Sequence, residues 1–253
     1  MKLFDLSGKH AVVVGAGGIG AELAVGLAES GADVAVVDKE LRRAEEAAAR
    51  VRALGRKAFS LACDITSEEE VRAAASAVCE DFSKVDILVN CAGVVTRKPS
   101  EILSVAEWRR VMDVNALGTF LCCQAFGREM IRQGGGKIVN LSSVRGRYGT
   151  RNGMADYCAS KAAVDGLTRQ LAVEWARHGV GVNAIAPTVV ETELTAGLLA
   201  DSRAAGLLGE SIPMGRWATA HDLVGPVLFF ASAASDYVTG QILYVDGGLT
   251  SVV

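Results

Sequence analysis

His10-Ala11-Val12-Val13-Val14-Gly15-Ala16-Gly17-Gly18-Ile19-Gly20-Ala21-Glu22-Leu23 is the stretch that decides the fold. A short β-branched run enters a turn of glycines and leaves it with helical spacing. Gly15, Gly17 and Gly20 form G-x-G-x-x-G, with Gly18 and Ile19 completing the turn. Glycines let the backbone reverse sharply and approach a pyrophosphate, whose charge sits on the helix N-terminus. A glycine triplet alone is often only a turn, so its context carries the meaning. The next β-branched run ends in Val36-Val37-Asp38, 18 positions beyond Gly20. A carboxylate there can accept hydrogen bonds from the adenosine ribose hydroxyls and would repel a 2′-phosphate, so the expected cofactor is NAD. No Lys-Ser/Thr follows the glycines, which excludes a Walker-type nucleotide site.

Outward from this unit the pattern repeats. Strands are expected at 9–14, 33–38, 58–62, 85–90, 136–141, 180–185 and 241–245, with helices near 18–30, 41–54, 67–81, 102–132, 155–178 and 220–233. Alternation of this kind predicts an α/β fold: a doubly wound, Rossmann-type parallel sheet of about seven strands with helices on both faces. The length of 253 residues suits one domain, 1–253, without a linker. The segment 188–215 follows Pro187 and is rich in small residues, which reads as a short helical lid or an ordinary surface excursion.

Composition narrows the function classes. Half the residues are hydrophobic and 6% aromatic, as a sheet of Val and Ile under Ala-rich helices requires. The formal charge of −3 carries no basic run, so nucleic acid is not an expected partner. No run of about 18 apolar residues is present, so no membrane association is expected. Six cysteines lack Cys-x-x-Cys spacing and read as small buried hydrophobes of a cytoplasmic protein. His10, His178 and His221 are scattered, and no metal site is expected.

Tyr157-Cys158-Ala159-Ser160-Lys161 carries the chemistry. A phenol ionises near pH ~10 in water, and a lysine one helical turn away can hold an ammonium near its oxygen. Opposite charge favours the phenolate, giving a usable acid or base for an alcohol or carbonyl. With the glycine turn and Ser142-Ser143 upstream, the whole chain resembles the compact branch of the short-chain dehydrogenase/reductase family, and gluconate 5-dehydrogenase-like members in particular. The resemblance runs from the glycine turn to Asp246-Gly247-Gly248.

The resemblance implies roles for particular residues. Asp64-Ile65 looks like the adenine-binding pair, and Asn90-Cys91-Ala92-Gly93 looks like Asn-Asn-Ala-Gly with Cys91 for the second Asn. Catalysis would fall to Ser143, holding the substrate oxygen, Tyr157, exchanging its proton, and Lys161, lowering the tyrosine pKa and binding the nicotinamide ribose. Asn115 would support a water chain. Cofactor contacts would include Gly15, Gly17, Gly18, Ile19, Gly20, Asp38, Asp64, Ile65, Asn90, Ala92, Gly93, Tyr157, Lys161, Pro187, Val190 and Thr192. Two departures stand out. Val14 replaces the usual threonine in a turn one residue shorter than usual, and Thr188 replaces the glycine after Pro187.

For the substrate, Thr96-Arg97-Lys98-Pro99 is similar to a stretch of the gluconate 5-dehydrogenase-like members. Arg145, Arg147 and Arg151 lie in a segment that walls the pocket in the family. An arginine fork suits a carboxylate or phosphate, so the expected substrate is a polyhydroxylated anion such as a sugar acid. A neutral polyol, a 3-oxoacyl thioester and a non-catalytic dinucleotide-binding role remain open. Ala125, Ala163, Gly166, Leu167, Leu171 and Ala172 make two helices apolar on more than one face. With the resemblance, that implies a homotetramer.

Overall fold

Seven parallel strands form the sheet of the computed structural model, which describes residues 2–151, 153–200, 206 and 210–252. The strands are β1 (His10–Val14), β2 (Asp33–Asp38), β3 (Ala58–Ala62), β4 (Ile87–Asn90), β5 (Gly136–Leu141), β6 (Val180–Pro187) and β7 (Ile242–Val245). Their spatial order is β3-β2-β1-β4-β5-β6-β7, so the chain crosses over between β3 and β4. Along β1 the alternation of a strand splits the core in two. Ala11 and Val13 belong to one cluster, and Val12 and Val14 belong to the other.

Helices α1 (Gly18–Glu29) and α2 (Leu41–Ala53) cover the first face through Leu23, Leu27, Ala44, Ala48 and Val51. The second face receives Val71, Ala75 and Val78 of α3 (Glu68–Phe82). It also receives Phe126 and Met130 of α5 (Thr119–Gln133) and Leu171 of α6 (Ala155–Trp175). Each fully buried Leu, Phe or Met contributes about 1.5–3 kcal/mol relative to exposure.

The expected helix 102–132 is in fact three pieces. An α-helix, α4 (Val105–Met112), passes into a π-helical turn over Asp113–Gly118 and then into α5. Tertiary contacts make the bulge. Gly118 packs so closely on Ile65 that an added Cβ would lie 2.6 Å from its Cδ1, and Asn115 is fully buried inside the turn. A single-turn π-bulge within an α-helix is frequently found at functional sites. The expected 220–233 helix shortens to α8 (Val224–Ala231) between two 3-10 turns. In the 188–215 segment, α7 (Glu193–Leu199) is helical, while 201–205 and 207–209 lie outside the described residues.

Candidate active site

The C-terminal ends of β1, β2 and β4 open onto one cleft, at the point where the strand order reverses. Crevices of doubly wound sheets bind ligands at that point. Gly15 has φ +93° and lies against β4's exit, where a Cβ would come within 2.5 Å of the Ala92 nitrogen. A Cβ on Gly20 would meet the Gly15 carbonyl at 1.7 Å, so the turn closes on itself only with glycine at both positions. Gly17 is the N-cap of α1 and carries no side-chain cap, and a Cβ there would meet nothing within 4 Å. The first turn of α1, with no side-chain cap, thus lines the cleft through Gly17, Gly18, Ile19 and Gly20, which fits a pyrophosphate despite the shortened turn.

Asp38 accepts hydrogen bonds from the backbone N–H of Ala16 at 2.6 Å and of Glu40 at 2.9 Å. Each oxygen keeps a further lone pair for a ribose hydroxyl. Asp64, beside Ile65 on the same wall, takes the Lys39 ammonium at 2.6 Å and the Thr66 hydroxyl at 2.7 Å. These bonds hold its carboxyl down at about 2. Lys39 and Arg43 also line this end, Arg43 pairing with Glu40 and Glu193 at 3.3 Å each. Gly18, Ile19, Ala92, Gly93 and Thr192 complete the lining. Asn90 does not belong to it. Its amide donates to Asn140 Oδ1 at 2.9 Å within a buried network that continues to Thr168, so it ties β4 to β5 from behind.

A second pocket adjoins the first across Ile19, Cys91, Gly93 and Thr192. Ser143, Tyr157, Lys161, Pro187 and Val190 line it together. Ser143 follows β5 with extended backbone, and its Oγ accepts the Arg145 N–H at 3.1 Å. The Tyr157 side chain, on the first turn of α6, hydrogen-bonds to that of Ser143. Lys161 is buried, 5.7 Å from the Tyr157 ring centre, and donates to the Leu141 carbonyl at 2.7 Å. Asn115 stands behind this wall. Its side chain donates to Val94 O and Ser160 Oγ and accepts from Val94 N–H, which leaves its role to the bulge it holds open.

Residues 14–250 match the family model described as Enoyl-(Acyl carrier protein) reductase, a branch of the short-chain dehydrogenases/reductases. The chain belongs to that family. Similarity covers the full length. A gluconate 5-dehydrogenase of Gluconobacter oxydans (strain 621H) is 41% identical over 249 residues, 98% of this chain and 97% of that protein. A D-threitol dehydrogenase of Mycolicibacterium smegmatis is 43% identical over 98% of this chain and 95% of its own. Among solved structures, a gluconate 5-dehydrogenase from Burkholderia cenocepacia J2315, in complex with NADP and tartrate, superposes with a TM-score of 0.96. It is 41% identical and covers 100% of this chain and 99% of that one. This short-chain dehydrogenase/reductase is thus an oxidoreductase of CH–OH groups.

The electrostatics of the dehydrogenase differ from the sequence expectation at two points. Burial pushes the Tyr157 phenol up, opposed by its Ser143 hydrogen bond and by the charges of Arg97 and Arg145. Lys161, expected to supply opposing charge, is itself pulled down to about 8 by its own burial. The four candidate arginines also separate. Arg97 and Arg145 line the reaction pocket. Arg147 stacks over the Tyr148 ring at 5.3 Å, and Arg151 faces a different hollow beside Pro99 and Cys158. Neither lines the reaction pocket, although Thr150 and Met154 of the same segment do. Sequence reasoning missed the pocket's apolar wall of Val95, Leu141, Val144, Met154 and Val189. It also missed Asp165, one turn beyond Lys161, whose spacing was the available signal.

Proposed function

We propose that this enzyme interconverts a secondary alcohol and a ketone on a polyhydroxylated, anionic small molecule such as a sugar acid, with NAD preferred over NADP. The observation that carries the reading is the Ser143–Tyr157–Lys161 set in a pocket walled by Arg97 and Arg145. When bound, the nicotinamide accepts or supplies hydride. Tyr157 takes the alcohol proton, or returns it to the ketone, while Ser143 holds the same oxygen. Lys161 orients the ribose, and Asn115 keeps the bulge behind Lys161 open for a water chain. Gly17, Gly18 and the uncapped α1 terminus hold the pyrophosphate; Asp38 holds the ribose; Asp64 and Ile65 flank the adenine; and Pro187, Val190 and Thr192 fix the carboxamide. Arg97 or Arg145 forks the substrate's acidic group.

The chain is read as one domain with 188–215 as a substrate lid. A homotetramer in a cytoplasmic setting completes the reading. The NAD preference rests on Asp38, although a relative binds NADP. A neutral polyol is the second reading, favoured by the D-threitol dehydrogenase relative and by the apolar remainder of the wall. The test is a panel of sugar acids, neutral polyols and 3-hydroxyacyl thioesters with both cofactors, read by nicotinamide absorbance and by kcat/KM. Sugar-acid turnover, faster with NAD and lost by orders of magnitude in Tyr157→Phe, is expected. An NADP preference would overturn the role of Asp38. Turnover of neutral polyols alone would select the second reading, and near-normal Tyr157→Phe turnover would remove the mechanism.

A further inference from the structure

Two residues of α6, one helical turn apart, grip successive residues at the end of β5. Lys161 Nζ donates to the Leu141 carbonyl at 2.7 Å, and the Ser142 hydroxyl donates to Asp165 Oδ1 at 2.5 Å. The next residue in the chain is Ser143. Asp165 is 5% exposed, an unusual place for a carboxylate unless it is hydrogen-bonded or paired. Its second oxygen lies over the turn that follows Ser143, where only glycine leaves room for it. A Cβ on Gly146 would lie 2.8 Å from Asp165 Oδ2 and 3.1 Å from the Lys161 carbonyl. The carboxylate therefore holds Ser142 and occupies the space a side chain at Gly146 would need, so it borders the segment that presents Ser143 on both sides.

The same group faces the charge problem of Lys161. That ammonium is 3% exposed, and burial works against its charged form. Around it stand the Cys91 thiol from the end of β4, the Tyr157 ring and, one turn along its own helix, Asp165. Cys91 is pushed up to about 12 and stays neutral, so Asp165 is the standing negative charge of the group. Burial pushes the Asp165 carboxyl up from its ordinary range, opposed by the Ser142 hydroxyl from the end of β5 and by the charges of Arg169 and Lys161 on its own helix, so the group keeps its charge through these partners. We propose that Asp165 is a positioning residue of the proton-transfer set: through Ser142 and the Gly146 turn it fixes Ser143, and by its charge it keeps Lys161 an ammonium. The proposal rests on the reading of Lys161 as a ribose ligand given above.

The experiment measures the affinity of the whole enzyme for the preferred reduced dinucleotide, by its fluorescence, between pH 6 and 10. Wild type should lose affinity through a limb near pH 8, where Lys161 loses its proton. Asp165→Asn still offers an acceptor to Ser142 but has no charge, and should move that limb down by about one unit, making binding about fivefold weaker at pH 8 and about tenfold weaker above pH 9. Ser142→Ala, which unties the carboxylate, should move it the same way by less, and it decides the matter if Asp165→Asn does not fold. Lys161→Met should have no limb. A limb unmoved in both Asp165→Asn and Ser142→Ala, even with lowered thermal stability, overturns the counter-charge. A limb that persists in Lys161→Met overturns the Lys161 assignment first, and the proposal with it.

Discussion

At the scale of single residues, charge at the reaction pocket is more informative than shape. Arg97 and Arg145 both line the pocket and both act on Tyr157. An arginine–carboxylate fork contributes about 1.5–3 kcal/mol, so replacing the right one by Ala should raise KM for an acidic substrate by one to two decades. A neutral polyol should be affected much less, and equal effects on both would make the pair a solvated surface. Arg147→Ala and Arg151→Ala should leave both substrates unchanged. Lys161 gives a second prediction. Its folded value near 8 lies below the ordinary 10.5, so the folded state holds fewer protons than the unfolded state between those limits, and stability rises with pH there. Lys161→Met should therefore raise Tm at pH 7. Its advantage, at most about 3 kcal/mol, should fade as pH rises from 8 to 10.5. A constant difference across that window would show that burial does not penalise the ammonium.

Among the elements, the glycine turn makes a prediction by contrast. Gly17→Ala places a methyl in open cleft with φ −62° already allowed. It should weaken dinucleotide binding and leave Tm within about a degree. Gly20→Ala drives a methyl into the Gly15 carbonyl and should lower stability by about 1–3 kcal/mol as well as binding. Equal Tm losses in the two variants would contradict this packing. The seven strands were legible in the sequence because β-branched runs bounded by turns have few other uses in a chain of this length. The break at Asp113–Gly118 was not, because it is set by bonds from Asn115 to residues 21 and 45 positions away. The same limit hid Asp165, which on its helix reads as one more polar residue until β5 is folded against it. It also hid the difference between Arg145 and its neighbours Arg147 and Arg151, which only the folded loop separates.

For the molecule as a whole, two groups of exposed large apolar residues fall on different elements. Ile102, Val105, Trp108, Leu117 and Phe120 are exposed on and around α4 and α5, while Tyr237 and Leu243 stand at the β7 edge of the sheet. Of the residues that make α6 apolar on more than one face, Leu171 and Ala172 pack in the core, while Ala163 and Gly166, together with Val173, lie on the open face. The proposed homotetramer would use each group for one two-fold interface, as a dimer of dimers. Light scattering should give four subunits, and Trp108→Glu with Phe120→Arg should halve the mass; a monomeric wild type would exclude this assembly. The two pockets also have separate origins along the chain. Residues up to Gly93 form most of the dinucleotide cleft, with Arg109, Arg110 and Asp113 among the later residues that complete it, and most of the other later lining residues face the reaction pocket; the two meet at Ile19, Cys91, Gly93 and Thr192. A hybrid joined just after Gly93 to the second part of the D-threitol dehydrogenase relative should keep one parent's cofactor preference while acquiring the other's substrate. Inheritance in this lineage can thus reshuffle what is oxidised independently of what does the oxidising.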